Sequence, residues 1–293
     1  MNKIKAIGIS LRRSFATKVC LCVLITSLSV FVLCFGSSLW FASEDMLREG
    51  HKKANLELDK AILFVNGEME AVEVAGRNFA ATFSKDERLE PKEVYARCQS
   101  FLAANPNLQG ISVAFEPRVY PEFKQGFAPY VMKRPGGQLF KCNLGDRYDY
   151  TKRDWYSGSL HADSARWTNP YREVTGTIIS IYCLPIINSK GEHIGVFAFD
   201  LSLAQLTDQI QSIRPYPHSF ITMMDRNLNF IVHPNKKLIM NGNPSQVLDK
   251  EKYEVNETIF VDIKNLTRGI GAFGYRGEKK YLYYAPVRRA GWT

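Results

Sequence analysis

The sequence predicts an α+β protein: one membrane-spanning helix, a long helix behind it, and two tandem modules built on antiparallel sheets. Three observations predict this. Residues 19–43 carry no charge and are mostly apolar, and ~20 such residues cross the hydrocarbon core of a bilayer. Residues 43–83 lack proline and repeat apolar residues at helical spacing. From Pro91 onward, short β-branched and aromatic runs alternate with turn residues, the patterning of strands and hairpins.

The first 43 residues contain no Asp or Glu, but they carry Lys3, Lys5, Arg12, Arg13 and Lys18. Residues 1–18 read as a basic arm and 19–43 as the span, VCLCVLITSLSVFVLCFGSSLWFAS. Backbone groups in lipid must be satisfied within the segment, so the span is expected to be a helix. Trp40 and Phe41 fall at the interfacial belt, and the basic arm is expected to stay in the cytoplasm. That orientation predicts an inner-membrane protein with everything after Ser43 outside. A cleaved signal peptide shares the basic start, but the apolar run is long and no A-x-A-like site follows. Leu33 before Cys34 fits a lipoprotein site poorly.

Residues 44–90 read as a stalk helix of about 55–60 Å, with Ser43 followed by Glu44 and Asp45 as its start. Its stripe is Leu47, Ala54, Leu58, Ile62, Val65, Met69, Val72 and Phe79. The stripe suits a second copy of the same helix, forming a homodimer, or packing on its own domain; the imperfect heptad leaves both readings standing. Residues 91–215 form the expected membrane-distal module. Its second helix stops before Pro106. Strand-like runs follow at GISVAFEP, APYVMK, QLFKCNL, 177–184 and 194–199, with hairpin connections at 135–137 and 189–191 and an amphipathic helix over Leu201–Ile213. After Arg214-Pro215-Tyr216-Pro217, residues 216–293 repeat strand–turn–strand twice, with turns at 225–227 and 276–278. This is the expected membrane-proximal module, cut short at its C-terminus.

Composition narrows the function. The chain has 293 residues, 45% hydrophobic and 23% charged, with net charge +9. The positive excess forms no basic stripe with interleaved aromatics, which argues against nucleic-acid binding. Cys20, Cys22 and Cys34 lie in the span, while Cys98, Cys142 and Cys183 are scattered without a C-x-x-C. They read as free thiols, with one disulfide left open. The five histidines show no ligand spacing, and no G-x-S-x-G, H-E-x-x-H or phosphate loop occurs. The residues therefore imply no enzyme activity, metal or cofactor.

The segment from Tyr148 to Asp200 holds one chemically coherent set. A carboxylate is best gripped by a planar guanidinium, which Arg153 supplies. Trp155 shares its face if the segment is extended, so its N–H reaches the second oxygen. An ammonium group needs an anion, which Asp200 supplies at the end of GVFAFD, and it tolerates aromatic surfaces such as Tyr148 and Tyr171. A zwitterion needs all of these partners. A blander reading also stands on residue type alone. Asp200 then pairs internally with Arg153 or Lys152, or caps the helix beginning at Leu201, and the aromatics are core.

The run Y-x-x-x-x-R-x-W-Y, then W-T-x-P-Y, then G-V-x-x-x-D, resembles the double Cache (dCache) extracellular sensor domains of bacterial transmembrane receptors, closest to their amino-acid-binding subset. Here it reads Tyr148, Arg153, Trp155, Tyr171 and Asp200. The resemblance covers roughly residues 44–293 and implies PAS-like (Cache) modules, a distal one binding ligand. It also implies that Arg153 and Trp155 hold a ligand carboxylate while Asp200, Tyr148 and Tyr171 hold its amino group. Glu173 departs from the Asp found in many relatives. Such domains serve chemoreceptors, histidine kinases, diguanylate cyclases and phosphatases, and nothing in these residues chooses among them. An amine or a small organic acid in the same fold, or a structural ectodomain without ligand, are the alternatives.

Overall fold

The computed structural model describes residues 15–83, 88–134, 136–173, 176–213, 216, 218–244, 258–275 and 278–293. The chain divides into two compact units, Met1–Asn55 and Leu56–Thr293. Helix α1 is continuous over Phe15–Ala81. In the first unit its apolar side chains are exposed, Leu33 at 71% and Trp40 at 69%, and the helix is long and apolar enough to cross a membrane. The expected helix start at Ser43 is absent. Ser43 Oγ donates to the Trp40 carbonyl at 2.7 Å, so its hydroxyl is satisfied inside the helix rather than capping a new one. The basic arm's Lys3, Lys5, Arg12 and Arg13 lie outside the described residues.

In the second unit, Ala61, Val65, Met69, Val72, Gly76 and Phe79 form the buried stripe of α1, a spacing that keeps one face inward. Helix α2, Pro91–Ala104, opens with proline at its first turn, where a missing N–H costs nothing. It buries Val94, Cys98 and Leu102. Seven strands follow: β1 Leu108–Phe115, β2 Pro129–Lys133, β3 Leu139–Asn143, β4 Arg166–Trp167, β5 Tyr171–Arg172, β6 Ile178–Ile187 and β7 His193–Ser202. They form one antiparallel sheet in the order β3-β2-β1-β7-β6-β4, with β5 also on β6. The β2–β3 hairpin turns through Gly136 and Gly137 at φ +90° and +82°, a region glycine enters without penalty; Pro135 lies outside the described residues.

Period-two alternation gives the sheet two different faces. Ile111, Val113, Val131, Phe197 and Phe199 join α1 and α2 in one core. Helix α1 approaches closely at Gly76, where a Cβ would lie 2.8 Å from the Phe199 ring. The opposite face carries Ala114, Tyr130, Met132, Ile181, Val196 and Ala198 under Tyr150, Trp155, Tyr156 and Leu160. Trp155, Tyr156 and Leu160 belong to a short helix, α3, Asp154–Leu160.

Helix α4 covers Leu203–Ile210 and is shorter than the expected 201–213. Its N-cap is Ser202, whose Oγ accepts from Gln205 N at 3.5 Å. Beyond it, β8 Met223–Met224 pairs with β9 Phe230–Val232, and β10 Gly269–Tyr275 pairs with β11 Glu278–Tyr284. Helix α5, Thr258–Lys264, lies between the two hairpins in sequence. Met224, Phe230, Ile259, Ile263 and Tyr284 make a small core there. The Asp225 carboxylate accepts from the Asn227 and Asn229 amides, each at 2.8 Å, and so fixes the β8–β9 turn. Arg214, Pro215 and Pro217 of the expected boundary, and Arg276 and Gly277 of the last turn, lie outside the described residues. All six cysteines are free thiols. Burial pushes the Cys98 and Cys183 thiols up to about 12.

Candidate functional site

A cavity of about 430 Å³ opens on the α3 face of the sheet, lined by Tyr148, Arg153, Asp154, Trp155 and the segment Thr168–Glu173. Four of the five sequence-predicted residues line it: Tyr148, Arg153, Trp155 and Tyr171. Two tight turns bring the first three together. Asn143 caps one, Leu144–Asp146, and Asp149 caps the next, Tyr150–Lys152, through a bond from Thr151 N at 3.2 Å. Arg153 follows as the N-cap residue of α3 with extended backbone, φ −80° and ψ 139°.

Trp155 therefore sits in a helix, not two residues along an extended strand as the sequence suggested. Trp155 is buried and lines the cavity beside Tyr148. Arg153 is exposed, and its guanidinium lies 5.0 Å from the centre of the Tyr148 ring, a cation–π distance. Among the described residues it has no carboxylate partner. Lys152 pairs instead with Asp149 at 3.0 Å. Neither basic residue neutralises Asp200.

Asp200 lies within β7, which runs on to Ser202, so it caps no helix. It shares the parity of Val196 and Ala198, on the cavity side of the sheet. Only 2% of it is exposed. Tyr130 on β2 donates to its Oδ2 at 2.7 Å. Gly110, opposite Asp200 on β1, leaves the room: a Cβ there would stand 2.6 Å from Oδ2 and 2.9 Å from the Tyr130 hydroxyl. Burial raises the Asp200 carboxyl to about 7; the Tyr130 bond opposes the rise and the Glu173 charge adds to it. Burial and then the Asp200 charge hold the Tyr148 hydroxyl up at about 12, and the same two causes raise Tyr171 further. Asp200 is thus a buried acid beneath two tyrosines that face the cavity.

The cavity segment 168–173 is held along β6. Thr168 Oγ1 accepts from Ile181 N at 3.0 Å, and the Thr168 carbonyl accepts from Ser180 Oγ at 2.8 Å. Arg166 fastens α3 from the same strand end: it donates to Asp154 Oδ2 at 2.7 Å, the Asp154 carbonyl at 2.6 Å and Ser159 Oγ at 2.8 Å. Sequence reasoning missed Tyr130, Gly110, Asp154 and Arg166. A glycine inside the strand run GISVAF is a signal of close backbone approach. Tyr130 left none, because it reads only as a strand aromatic.

Solved structures share this fold. The extracellular domain of soHK1S-Z6, named as a histidine kinase, superposes with TM-score 0.70 at 21% identity, over 85% of this chain and 94% of that one. The ligand-binding domain of Campylobacter jejuni chemoreceptor Tlp3, solved with L-norvaline, gives 0.57 at 15% identity, over 81% and 85%. Among curated proteins, the Bacillus subtilis methyl-accepting chemotaxis protein McpC is 25% identical over 120 residues, which is 40% of this chain and 18% of McpC. Pseudomonas putida McpG is 29% identical over 115 residues, 39% of this chain and 18% of McpG. The chain thus covers about a fifth of the length of either relative. Residues 94–208, which hold the cavity and all five predicted residues, match the family model of the methyl-accepting chemotaxis protein-like first PDC sensor domain.

Proposed function

We propose that residues 91–215 are the ligand-binding module of an extracytoplasmic sensor domain, and that its cavity takes a free amino acid. The observation that carries this is the joint placement of the exposed Arg153 guanidinium at the cavity wall and a buried acid on the same side of the sheet, with Tyr148 and Tyr171 near that acid. Arg153 meets the ligand carboxylate. Asp200 meets the ammonium with the two tyrosine hydroxyls, and Trp155 lines the wall beside Arg153. The cavity volume of about 430 Å³ falls in the range of small-molecule sites. Amino-acid ligands named for neighbours of the same fold, L-norvaline on Tlp3 and asparagine on Mlp24, support the same class.

The chain acts as a sensor, not a catalyst. Residues 19–43 anchor it in the inner membrane, the stalk offers a face to a second copy, and residues 216–293 form a membrane-proximal module. A second reading, an amine, is favoured by one observation: Glu173 lines the cavity and its charge acts on the buried Asp200. An amine leaves Arg153 unused.

The test is a melting screen of the chain against the twenty proteinogenic L-amino acids, common amines and short organic acids. Stabilisation follows RT ln(1 + [L]/Kd). Amino acids raise Tm of the wild type, and Arg153→Ala and Asp200→Asn abolish the shift. An amine that still stabilises Arg153→Ala establishes the second reading. Equal shifts by amino acids in wild type and both variants would end the assignment.

A further inference from the structure

The cavity segment, held along β6, is also linked to the C-terminal loop through one half-buried carboxylate. Strand β4 is two residues long, and its side chains leave on opposite faces of the sheet. Arg166 grips the start of α3 on the cavity side. Trp167 turns to the α1 side, where its ring stands 5.4 Å from that of Tyr182. There the Trp167 indole N–H donates to Glu73 Oε1 at 3.0 Å.

The other oxygen of Glu73 is also taken. Arg289 donates to Oε2 at 2.7 Å and reaches Glu70 at 3.1 Å. Arg77, one turn along α1, lies 3.7 Å from the same Oε2 and donates to the Tyr182 hydroxyl at 3.4 Å. The Glu73 side chain is only 13% exposed. Bonds to an ionised acceptor that is largely out of water are the strong kind, and their loss strands a charge. Arg289 belongs to a closed loop. Val287 N donates to Trp292 O at 2.7 Å, Trp292 is fully buried, and Thr293 N donates to Met224 O at 2.9 Å on β8.

We infer that Glu73 is a positioning residue for the cavity, and that by holding Trp167 with one oxygen and Arg289 with the other it couples the cavity segment 168–173 to the C-terminal loop 287–293. A displacement of α3 or of 168–173 on filling the cavity pulls on β4, and β4 pulls on Glu73. The loop then loses or gains its clamp. Because equilibrium coupling is reciprocal, the seating of the loop also sets how firmly the cavity segment is held. The coupling itself stands on the geometry; its use in sensing rests on the amino-acid reading above.

Hydrogen exchange on the whole chain in detergent micelles tests it without any ligand. Trp167→Phe keeps most of the ring and removes the N–H. Arg289→Ala removes the exposed end of the clamp and leaves the core intact. Trp167→Phe should speed exchange of amides 288–293, and Arg289→Ala should speed exchange of amides 168–172, each severalfold. Arg97→Ala, which breaks a surface pair on α2, should change neither. Should each variant speed exchange only on its own side, the coupling is refuted. An equimolar mixture of the twenty L-amino acids is then added to the wild type. It should slow exchange at 288–293 as well as at 168–172, and Arg289→Ala should lose the distant protection. If the reciprocal effects appear but the mixture changes nothing, the coupling stands and the amino-acid reading fails.

Discussion

At the scale of single residues, the informative group is Asp200. Burial lets it keep its proton to about pH 7, against an ordinary value of 3.8. Between those values the folded chain binds a proton that the unfolded chain has released. The Asp200 contribution to stability without ligand therefore falls as pH rises from 3.8 to about 7 and is flat beyond. An ammonium ligand needs the carboxylate, so its affinity rises with pH, by at most about tenfold per unit, and levels off above about 7. The groups that face Asp200 are the Tyr130, Tyr148 and Tyr171 hydroxyls, the Cys183 thiol and Glu173. Of these, Tyr130 favours the charged form. Tyr130→Phe should therefore move the midpoint of the affinity profile upward, as read by calorimetry of the tightest amino acid from pH 5 to 9. A midpoint that stays or falls contradicts the role given to that hydroxyl. Gly110→Ala tests the room below. Its Cβ would press on both Asp200 Oδ2 and Tyr130, so the variant should lose about 1–3 kcal/mol of stability and bind the same amino acid more weakly. Unchanged melting and binding would show that the carboxylate does not need that space.

At the scale of elements, α1 offers a matched pair of glycines. A Cβ at Gly67 meets nothing within 4 Å, whereas one at Gly76 lies 2.8 Å from the Phe199 ring. Alanine in a helix interior is worth about 1 kcal/mol over glycine. Gly67→Ala should therefore raise Tm by about 2–4 °C. At Gly76 the overlap with a packed aromatic outweighs that gain by about 1–2 kcal/mol, and Tm should fall. A rise for both would mean that α1 is not seated on the sheet through Phe199. The stripe that predicts this packing was readable because 3.6-residue spacing persists over many turns, as it does for Val65, Met69, Val72 and Phe79. The strands were readable from composition instead, since β6 and β7 are near-continuous β-branched and aromatic runs on either side of a turn. Helix α3 was not. Its sequence DWYSGSL is too short for periodicity and contains glycine and two serines, so the Arg-x-Trp spacing looked extended. The Ser43 start failed for the opposite reason: good capping chemistry was present, but apolar and amphipathic helix on either side was continuous. Of the cavity lining, Tyr148, Arg153, Trp155 and Tyr171 were singled out by the sequence. Tyr130 was not, because its meeting with Asp200 spans 70 residues and two strands.

At the scale of the whole molecule, the question is what covers α1 in the first unit. Phe31, Leu33, Phe35, Trp40 and Phe41 are all more than half exposed there. A contiguous apolar surface of that length is not stable in water. A bilayer would satisfy it, which is the anchor proposed for residues 19–43. Cysteine chemistry reads this directly, because the six free thiols fall into two classes. Cys20, Cys22 and Cys34 are exposed on the helix surface, whereas Cys98 and Cys183 are buried in the second unit and Cys142 is half-buried. In liposomes, lipid should shield the first three from a membrane-impermeant maleimide although no protein atom covers them. Burial and a raised pKa should protect Cys98 and Cys183 until the fold opens. The expected pattern is thus slow labelling at Cys142 alone in liposomes. Guanidinium chloride should then expose Cys98 and Cys183 while Cys34 stays protected. Rapid labelling of Cys34 in intact liposomes would place the helix in water and remove the anchor.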